Sequence, residues 1–273
     1  MNLPRIAFIG AGNMARSIIG GLLDEGIPAA SITASGPRLG TLAPLQADTG
    51  IQVTTANDEA ARDAGIVILA VKPQMMQEVA SGLSGALAHR PLVISLAAGV
   101  TSDSIDRWLG GNQAVVRCMP NTPSQLRQGA SGLYANSRVS TAQRQQADAI
   151  LGAVGVVRWF DNESLLNPVT AVSGSGPAYF FLLMEAMIDA AEALGLDREA
   201  ARELTLQTAL GAAMLARQSE VEVSELRRRV TSPKGTTEQA ILSFERDGLR
   251  DTVARAMNAC SARAAELSAP SGQ

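Results

Sequence analysis

Three features of the sequence predict an α/β chain in which a doubly wound parallel sheet is followed by an all-α region. From residue 5 to about 160, short apolar runs rich in Val and Ile alternate with amphipathic or Ala-rich stretches, the change of period that marks successive βα units. The run Gly65-Ile66-Val67-Ile68-Leu69-Ala70-Val71 is apolar without alternation, as a strand covered by helices on both faces must be. After Asp161 the strand signal fades, and long Ala/Leu/Glu/Arg segments with helical spacing take over. Two domains are therefore expected, over 1–160 and 161–273, each large enough to hold a core.

Taken in order, apolar runs place strands at 5–9, 31–35, 51–54, 65–71, 92–97, 114–119, 131–134 and 156–160. Helices are expected between them near 13–25, 57–64, 73–88, 101–109 and 140–153. Gly174-Ser175-Gly176-Pro177 punctuates the start of the second region. Near its end, Leu249, Val253, Met257, Cys260, Ala264 and Leu267 form a stripe at steps of three and four, which core packing explains by default. A domain of about 110 residues in long helices has limited core of its own, so paired chains are expected to share helical faces, giving a homodimer that can assemble further. Residues 268–273 read as a frayed end.

Composition removes several function classes. A net charge of −3 with basic residues scattered, apart from Arg227-Arg228-Arg229, gives no reason to expect nucleic acid; that triplet reads as a solvated helix face. The first strand begins after four residues without a signal sequence, and no apolar stretch approaches a membrane span. Cys118 and Cys260 lie far apart with no metal-ligand spacing, which fits a reduced, cytoplasmic chain without a metal site. His89 is the only histidine and sits in a polar stretch. No Ser-His-Asp relay and no His-rich zinc site has a natural home here.

The segment Arg5-Ile6-Ala7-Phe8-Ile9-Gly10-Ala11-Gly12-Asn13-Met14-Ala15 is an apolar run feeding a glycine turn that opens into a helix. Gly10 allows the tight turn, Gly12 leaves room for a pyrophosphate, and Ala15 stands where a third glycine permits close helix–strand packing. The amides at the helix start then face phosphates. Alone, such a turn needs no ligand; in the context of βα alternation it reads as a Rossmann-type dinucleotide site. The second strand ends Ala34-Ser35-Gly36-Pro37-Arg38, without the carboxylate that holds the ribose 2′-hydroxyl of NAD. Ser35 and Arg38 can take a 2′-phosphate instead, so NADPH is the expected cofactor, with NADH possible.

Three further loops fall where strands should end: Val71-Lys72-Pro73-Gln74, Ala97-Ala98-Gly99 and Met119-Pro120-Asn121-Thr122-Pro123. The small residues around Ala98 would let the nicotinamide end lie against backbone, and Asn121 could present an amide to the ring carboxamide. In the helical region, Val230-Thr231-Ser232-Pro233-Lys234-Gly235-Thr236-Thr237-Glu238 resembles a helix start with free amides and hydroxyls converging. That arrangement suits a carboxylate, although a capped turn between helices would look the same.

With Gly10 to Ala15, Ala70-Val71-Lys72-Pro73, Met119 to Pro123, Ser173-Gly174-Ser175-Gly176-Pro177-Ala178-Tyr179 and Thr231 to Thr237 in this order, the chain resembles the pyrroline-5-carboxylate reductases over nearly its whole length. The resemblance implies reduction of a cyclic imine, 1-pyrroline-5-carboxylate, to L-proline by hydride from NAD(P)H, the last step of proline synthesis. It implies that Gly10, Ala11, Gly12, Asn13, Met14 and Ala15 bind the pyrophosphate and that Asn57 contacts the adenosine ribose. Ala70, Val71, Lys72, Pro73 and Asn121 would surround the nicotinamide. Ser232, Gly235, Thr236 and Thr237 would receive the substrate carboxylate and ring nitrogen, Thr237 bonding the imine nitrogen as the catalytic group. Lys234 departs from the family pattern, which usually has glycine there. If the loop requires a positive φ, that lysine is strained by roughly 1–2 kcal/mol; its charge can instead assist the carboxylate.

An imine suits this chain, since hydride adds readily to a protonated C=N and needs no histidine, whereas alcohol oxidation calls for a proton acceptor. Two other readings stay open on the residues alone. A β-hydroxyacid dehydrogenase or related imine reductase shares the domain order, with Lys234 the only lysine after residue 72. A non-catalytic NADPH-binding sensor would use the glycine turn and leave the Ser-Pro-Lys-Gly-Thr-Thr loop as a cap.

Overall fold

The computed structural model describes residues 3–268, so the expectation for 269–273 lies outside the described residues. By compactness, residues 3–175 with 259–268 form one unit and 176–258 a second. In the first unit, eight strands form one sheet in the order β3-β2-β1-β4-β5-β6-β7-β8. They are β1 (Ile6–Ile9), β2 (Ile32–Ser35), β3 (Gln52–Thr54), β4 (Ile66–Leu69), β5 (Leu92–Ser95), β6 (Ala114–Met119), β7 (Gly129–Ala135) and β8 (Gly155–Phe160). All eight expected strands are present. Between them run α1 (Asn13–Asp24), α2 (Leu39–Thr49), α3 (Asn57–Ala61), α4 (Met76–Leu83), α5 (Ser102–Trp108) and α6 (Thr141–Gly152).

Each face of the sheet carries its own core. Phe8, Ile66, Ile68, Ile94 and Val116 pack with Ile18, Ile19 and Leu22 of α1 and Ile150 and Leu151 of α6 on one face. On the other, Ile9, Val67, Leu69 and Val93 pack with Met76, Ala80 and Leu83 of α4 and Ile105 of α5. Because strands β1, β4 and β5 face apolar layers on both sides, every residue of β1, β4 and β5 is buried. That is the cause of their unbroken hydrophobic runs.

The sheet departs from the expected parallel order at one place: β7 runs antiparallel to β6, and β8 runs parallel to β7. Residues 120–128 join β6 to β7 through only a short 3₁₀ turn (Thr122–Leu126). A parallel crossover needs a dozen or more residues, so this connection permits only the reversed direction. α6 supplies the length for a parallel return to β8. The sequence reading also left out α2, whose pattern is broken by Gly40 and Pro44.

Beyond β8 the chain forms α7 (Leu166–Val169), a π-helical turn (Thr170–Gly174), α8 (Gly176–Ala193), α9 (Arg198–Gln218), α10 (Val223–Arg229), α11 (Thr236–Arg246) and α12 (Leu249–Ser268). The entry to this region is clamped: Glu163 accepts hydrogen bonds from the Ser102 amide (2.6 Å) and hydroxyl (2.9 Å) and pairs with Arg117 at 3.0 Å. In the second unit, among the described residues, only Gly176, Ala201 and Thr205 are buried. Phe180, Phe181 and Leu182 are each more than 60 % exposed. Of the stripe on α12, only Ala264 is buried, so core packing within the chain does not account for it.

One expectation is overturned in this region. The helical run Glu163–Ala193 is, by length and composition, apolar enough to cross a membrane, with 11 % of its most apolar window buried. Ser, Gly and Pro residues at 173–177 interrupt that run in the sequence and hid its length. The basic triplet lies on α10 with Arg228 and Arg229 exposed, the solvated helix face expected; in addition Arg228 and Arg229 bridge to Glu225, and Arg227 lies 3.4 Å from Glu245.

Candidate active site

Parallel strands β1, β2, β4, β5 and β6 end at residues 9, 35, 69, 95 and 119, so the loops singled out in the sequence lie along one edge of the sheet. The strand order reverses between β1 and β4, which is where open α/β sheets bind ligands. Gly10 has φ +100°, and a Cβ there would stand 2.7 Å from the Ala70 carbonyl oxygen. Only glycine satisfies both constraints. At Gly12 an added Cβ would meet nothing within 4 Å, which leaves the space open for a phosphate. Gly12 caps α1 without a side-chain hydrogen bond, and the first turn of that helix carries no acidic residue. Its free amides and positive dipole end therefore face outward, with no carboxylate competing for them. Ala15 is fully buried against the sheet.

The sequence reading missed a residue that stiffens this turn. Arg16 donates from Nε to the Ala11 carbonyl at 3.1 Å and from its terminal nitrogen to the Thr41 carbonyl at 2.7 Å. It thus ties the glycine turn to the start of α2. The available signal was an arginine in the first turn after the glycines.

Ser35 and Arg38, grouped from sequence as one 2′-phosphate pair, are separated in role. Ser35 is fully buried and donates its hydroxyl to Asn57 Oδ1 at 2.7 Å, so it supports Asn57 and has no surface to offer a phosphate. Asn57, the first residue of α3, is half-buried. Arg38 is exposed before α2, and its guanidinium has no partner among the described residues. Of the pair, only Arg38 leaves its side chain exposed.

At the other side of the edge, Met14, Ala70, Val71, Leu96, Ala98, Met119 and Pro120 line a pocket of about 190 Å³. Every lining side chain is apolar, so no side chain there can give or take a proton. Lys72 and Pro73 follow Val71 on the exposed surface. Asn121 is used differently from the sequence expectation: its Nδ2 donates to the Ser173 carbonyl at 3.0 Å and its Oδ1 accepts the Ala130 amide at 2.8 Å. With 8 % of its surface exposed, its side chain is spent inside the protein and does not offer its amide to a ring. Beside it Cys118 is buried, which pushes its thiol up to about 12.

In the helical unit, α11 begins after Gly235 with no side-chain cap. The Gly235 amide is committed to the Ser232 carbonyl at 3.0 Å, so its N–H cannot receive a carboxylate as the sequence suggested. The Lys234 amide is held by Glu238 Oε2 at 2.8 Å. The helix's first free amides are those of Thr236 and Thr237, with their hydroxyls and that of Ser232 exposed alongside. Lys234 has φ +60°, the left-handed conformation that costs a non-glycine residue roughly 1–2 kcal/mol.

A family model described as pyrroline-5-carboxylate reductase dimerisation matches residues 163–267. Another, described as NADP oxidoreductase, coenzyme F420-dependent, matches residues 5–99, which include the glycine turn. The chain is 58 % identical, over the full length of both proteins, to the pyrroline-5-carboxylate reductase of Pseudomonas aeruginosa. This chain belongs to the pyrroline-5-carboxylate reductase family. The solved structure of a pyrroline-5-carboxylate reductase from Coxiella burnetii, 46 % identical, covers 98 % of this chain and all of its own, with a TM-score of 0.94. A Plasmodium falciparum pyrroline carboxylate reductase, solved with NADP bound, is 27 % identical with a TM-score of 0.87, covering 98 % of this chain and 99 % of its own. The membrane-length run 163–193 opens the dimerisation match. Its apolar surface thus belongs to the region that matches a dimerisation domain.

Proposed function

We propose that this protein reduces 1-pyrroline-5-carboxylate to L-proline with NADPH, accepting NADH less well, and that it works as a homodimer or a multiple of one in the cytoplasm. The observation that carries this reading is the pocket between Met14, Ala98 and Met119, whose lining side chains are all apolar, set at the edge that also bears a phosphate-ready helix start. A carbonyl reductase needs an acid beside the reacting carbon. An imine that binds already protonated does not, and a dry apolar wall suits it.

The residues present fit the nucleotide. Asn13, Met14 and Ala15 would offer α1 amides to the pyrophosphate beside the open space at Gly12. Asn57, steadied by Ser35, would face the adenosine ribose, and Arg38 the 2′-phosphate. A bound dihydronicotinamide would supply the hydride. Its ring would lie against Ala70, Val71 and Ala98, where small side chains let a flat ring approach backbone.

The free amides of Thr236 and Thr237 would hold the substrate carboxylate, helped by the helix dipole of α11 and the charge of Lys234. The Thr237 hydroxyl would hydrogen-bond the ring nitrogen and fix which face of the C=N is presented. Holding two rings in register accounts for most of the rate, since effective molarities on the order of 10⁵ M are typical of well-oriented pairs.

The reading is tested by following nucleotide absorbance with purified protein and 1-pyrroline-5-carboxylate, first with NADPH and then with NADH. Rapid oxidation with a clear NADPH preference is expected. Tight NADPH binding without any turnover on cyclic imine carboxylates would overturn it and favour a sensor.

A further inference from the structure

Pro177 stands four residues after Ser173, at the position whose amide would ordinarily close the helical hydrogen bond to the Ser173 carbonyl. Proline has no N–H to give. The carbonyl is instead taken by the Asn121 side chain at 3.0 Å, while the other end of the same amide holds the Ala130 backbone at 2.8 Å. Ser173 is half-buried, and an acceptor left without a donor there is costly, so the proline and the asparagine, 56 positions apart in the sequence, compensate each other.

The neighbouring residues give this bond a consequence for the pocket. Met119 and Pro120, immediately before Asn121, form one wall of the apolar pocket. A Cβ at Gly174 would stand 2.4 Å from Met119 Cε, so the Met119 side chain rests on the π-helical turn that the asparagine grips. Within that turn the Ser175 amide reaches back to the Thr170 carbonyl at 2.8 Å. π-turns are uncommon and recur at functional sites.

We propose that Asn121 is a positioning residue: it clamps the Met119–Pro120 wall of the ring pocket to the π-helical turn at 170–174 and so sets where the nicotinamide and imine meet. It acts through Met119 and Pro120 rather than by touching the ring. The inference rests on the reductase reading above. It would therefore be measured on the full-length enzyme after wild-type turnover of 1-pyrroline-5-carboxylate has been established, since absence of that turnover would defeat the reading itself.

Four proteins decide the matter: wild type, Asn121→Ala, Pro177→Ala and the double variant. Asn121→Ala is expected to lower kcat roughly tenfold or more, because small misplacements of reacting groups are expensive, while KM for the imine moves less than about twofold. Pro177→Ala supplies the missing amide, so in its background the loss from removing Asn121 should shrink at least about threefold. Should Asn121→Ala not fold, Asn121→Asp keeps the acceptor for Ala130, lacks the donor to Ser173, and is expected to show the same kcat loss. An unchanged kcat in the foldable Asn121 variant, or an equal loss with and without Pro177, would overturn the proposal.

Discussion

The sheet unit and the helical unit solve opposite problems. In the first, Ile68, Val67 and Ile94 are wholly buried between two helical layers, and the chain finishes its own core. In the second, among the described residues, none larger than Thr205 is buried, while Phe181 and Leu182 stand 63 % and 67 % exposed. Burying a side chain of that size is worth about 1.5–3 kcal/mol. A face with many of them calls for cover from outside the chain, which fits the dimerisation match over 163–267. The contrast extends to ligands. At the sheet edge the proposed nucleotide site is shaped by backbone, with no side chain at Gly10 to strike the Ala70 carbonyl and open space at Gly12. The helical unit offers the uncapped start of α11 on a short loop.

The strongest way to break this comparison is to charge the helical face. Phe181→Asp with Leu182→Asp should abolish the oligomer in light scattering and lower turnover at least about a hundredfold, because a buried unpaired carboxylate costs several kcal/mol. NADPH binding by the sheet unit should survive. Loss of nucleotide binding along with assembly would show that the first unit is not self-sufficient.

A smaller effect separates the ligand sites. Thr237→Ala should lower kcat roughly tenfold or more, the worth of one hydrogen bond to a charged group, while the dissociation constant for NADPH stays within about twofold. On the other unit, Arg38→Glu should weaken NADPH by about tenfold or more through lost charge-assisted bonds and leave NADH nearly unchanged. Equal weakening of both nucleotides would remove Arg38 from the 2′-phosphate.

The smallest effect concerns the strained lysine. Lys234→Gly removes a left-handed penalty of about 1–2 kcal/mol but adds chain entropy to the unfolded state. The melting temperature should rise by no more than a few degrees, while KM for the imine rises if the charge aids the carboxylate. A lower melting temperature would mean that the strain at φ +60° is smaller than the entropy cost of glycine.

How much of this could be read from sequence follows from what each signal encodes. Strands buried on both faces, such as β1, β4 and β5, announce themselves as unbroken apolar runs, and the five others were legible from shorter or interrupted apolar runs. The reversed direction of β7 was not, because direction is set by the nine-residue connection at 120–128 rather than by strand composition. α2 was hidden by Gly40 and Pro44. At the site, the glycine turn and the helix start at 235–237 were visible because backbone shape needs special residues. The side chains of Ser35 and Asn121 were read as facing a ligand, but a polar side chain at a strand end can turn outward or in. Both turn inward, to Asn57 and to Ser173. The α12 stripe looked like core because helical periodicity registers burial without saying which chain provides the cover.

The account stands or falls on a crystal structure with NADP⁺ and L-proline bound together. It predicts the proline carboxylate on the amides of Thr236 and Thr237, with the ring carbon that received hydride about 3–3.5 Å from the nicotinamide, beside Ala98 and Met119. Proline found with its carboxylate on other groups, or with its ring remote from that pocket, would contradict it.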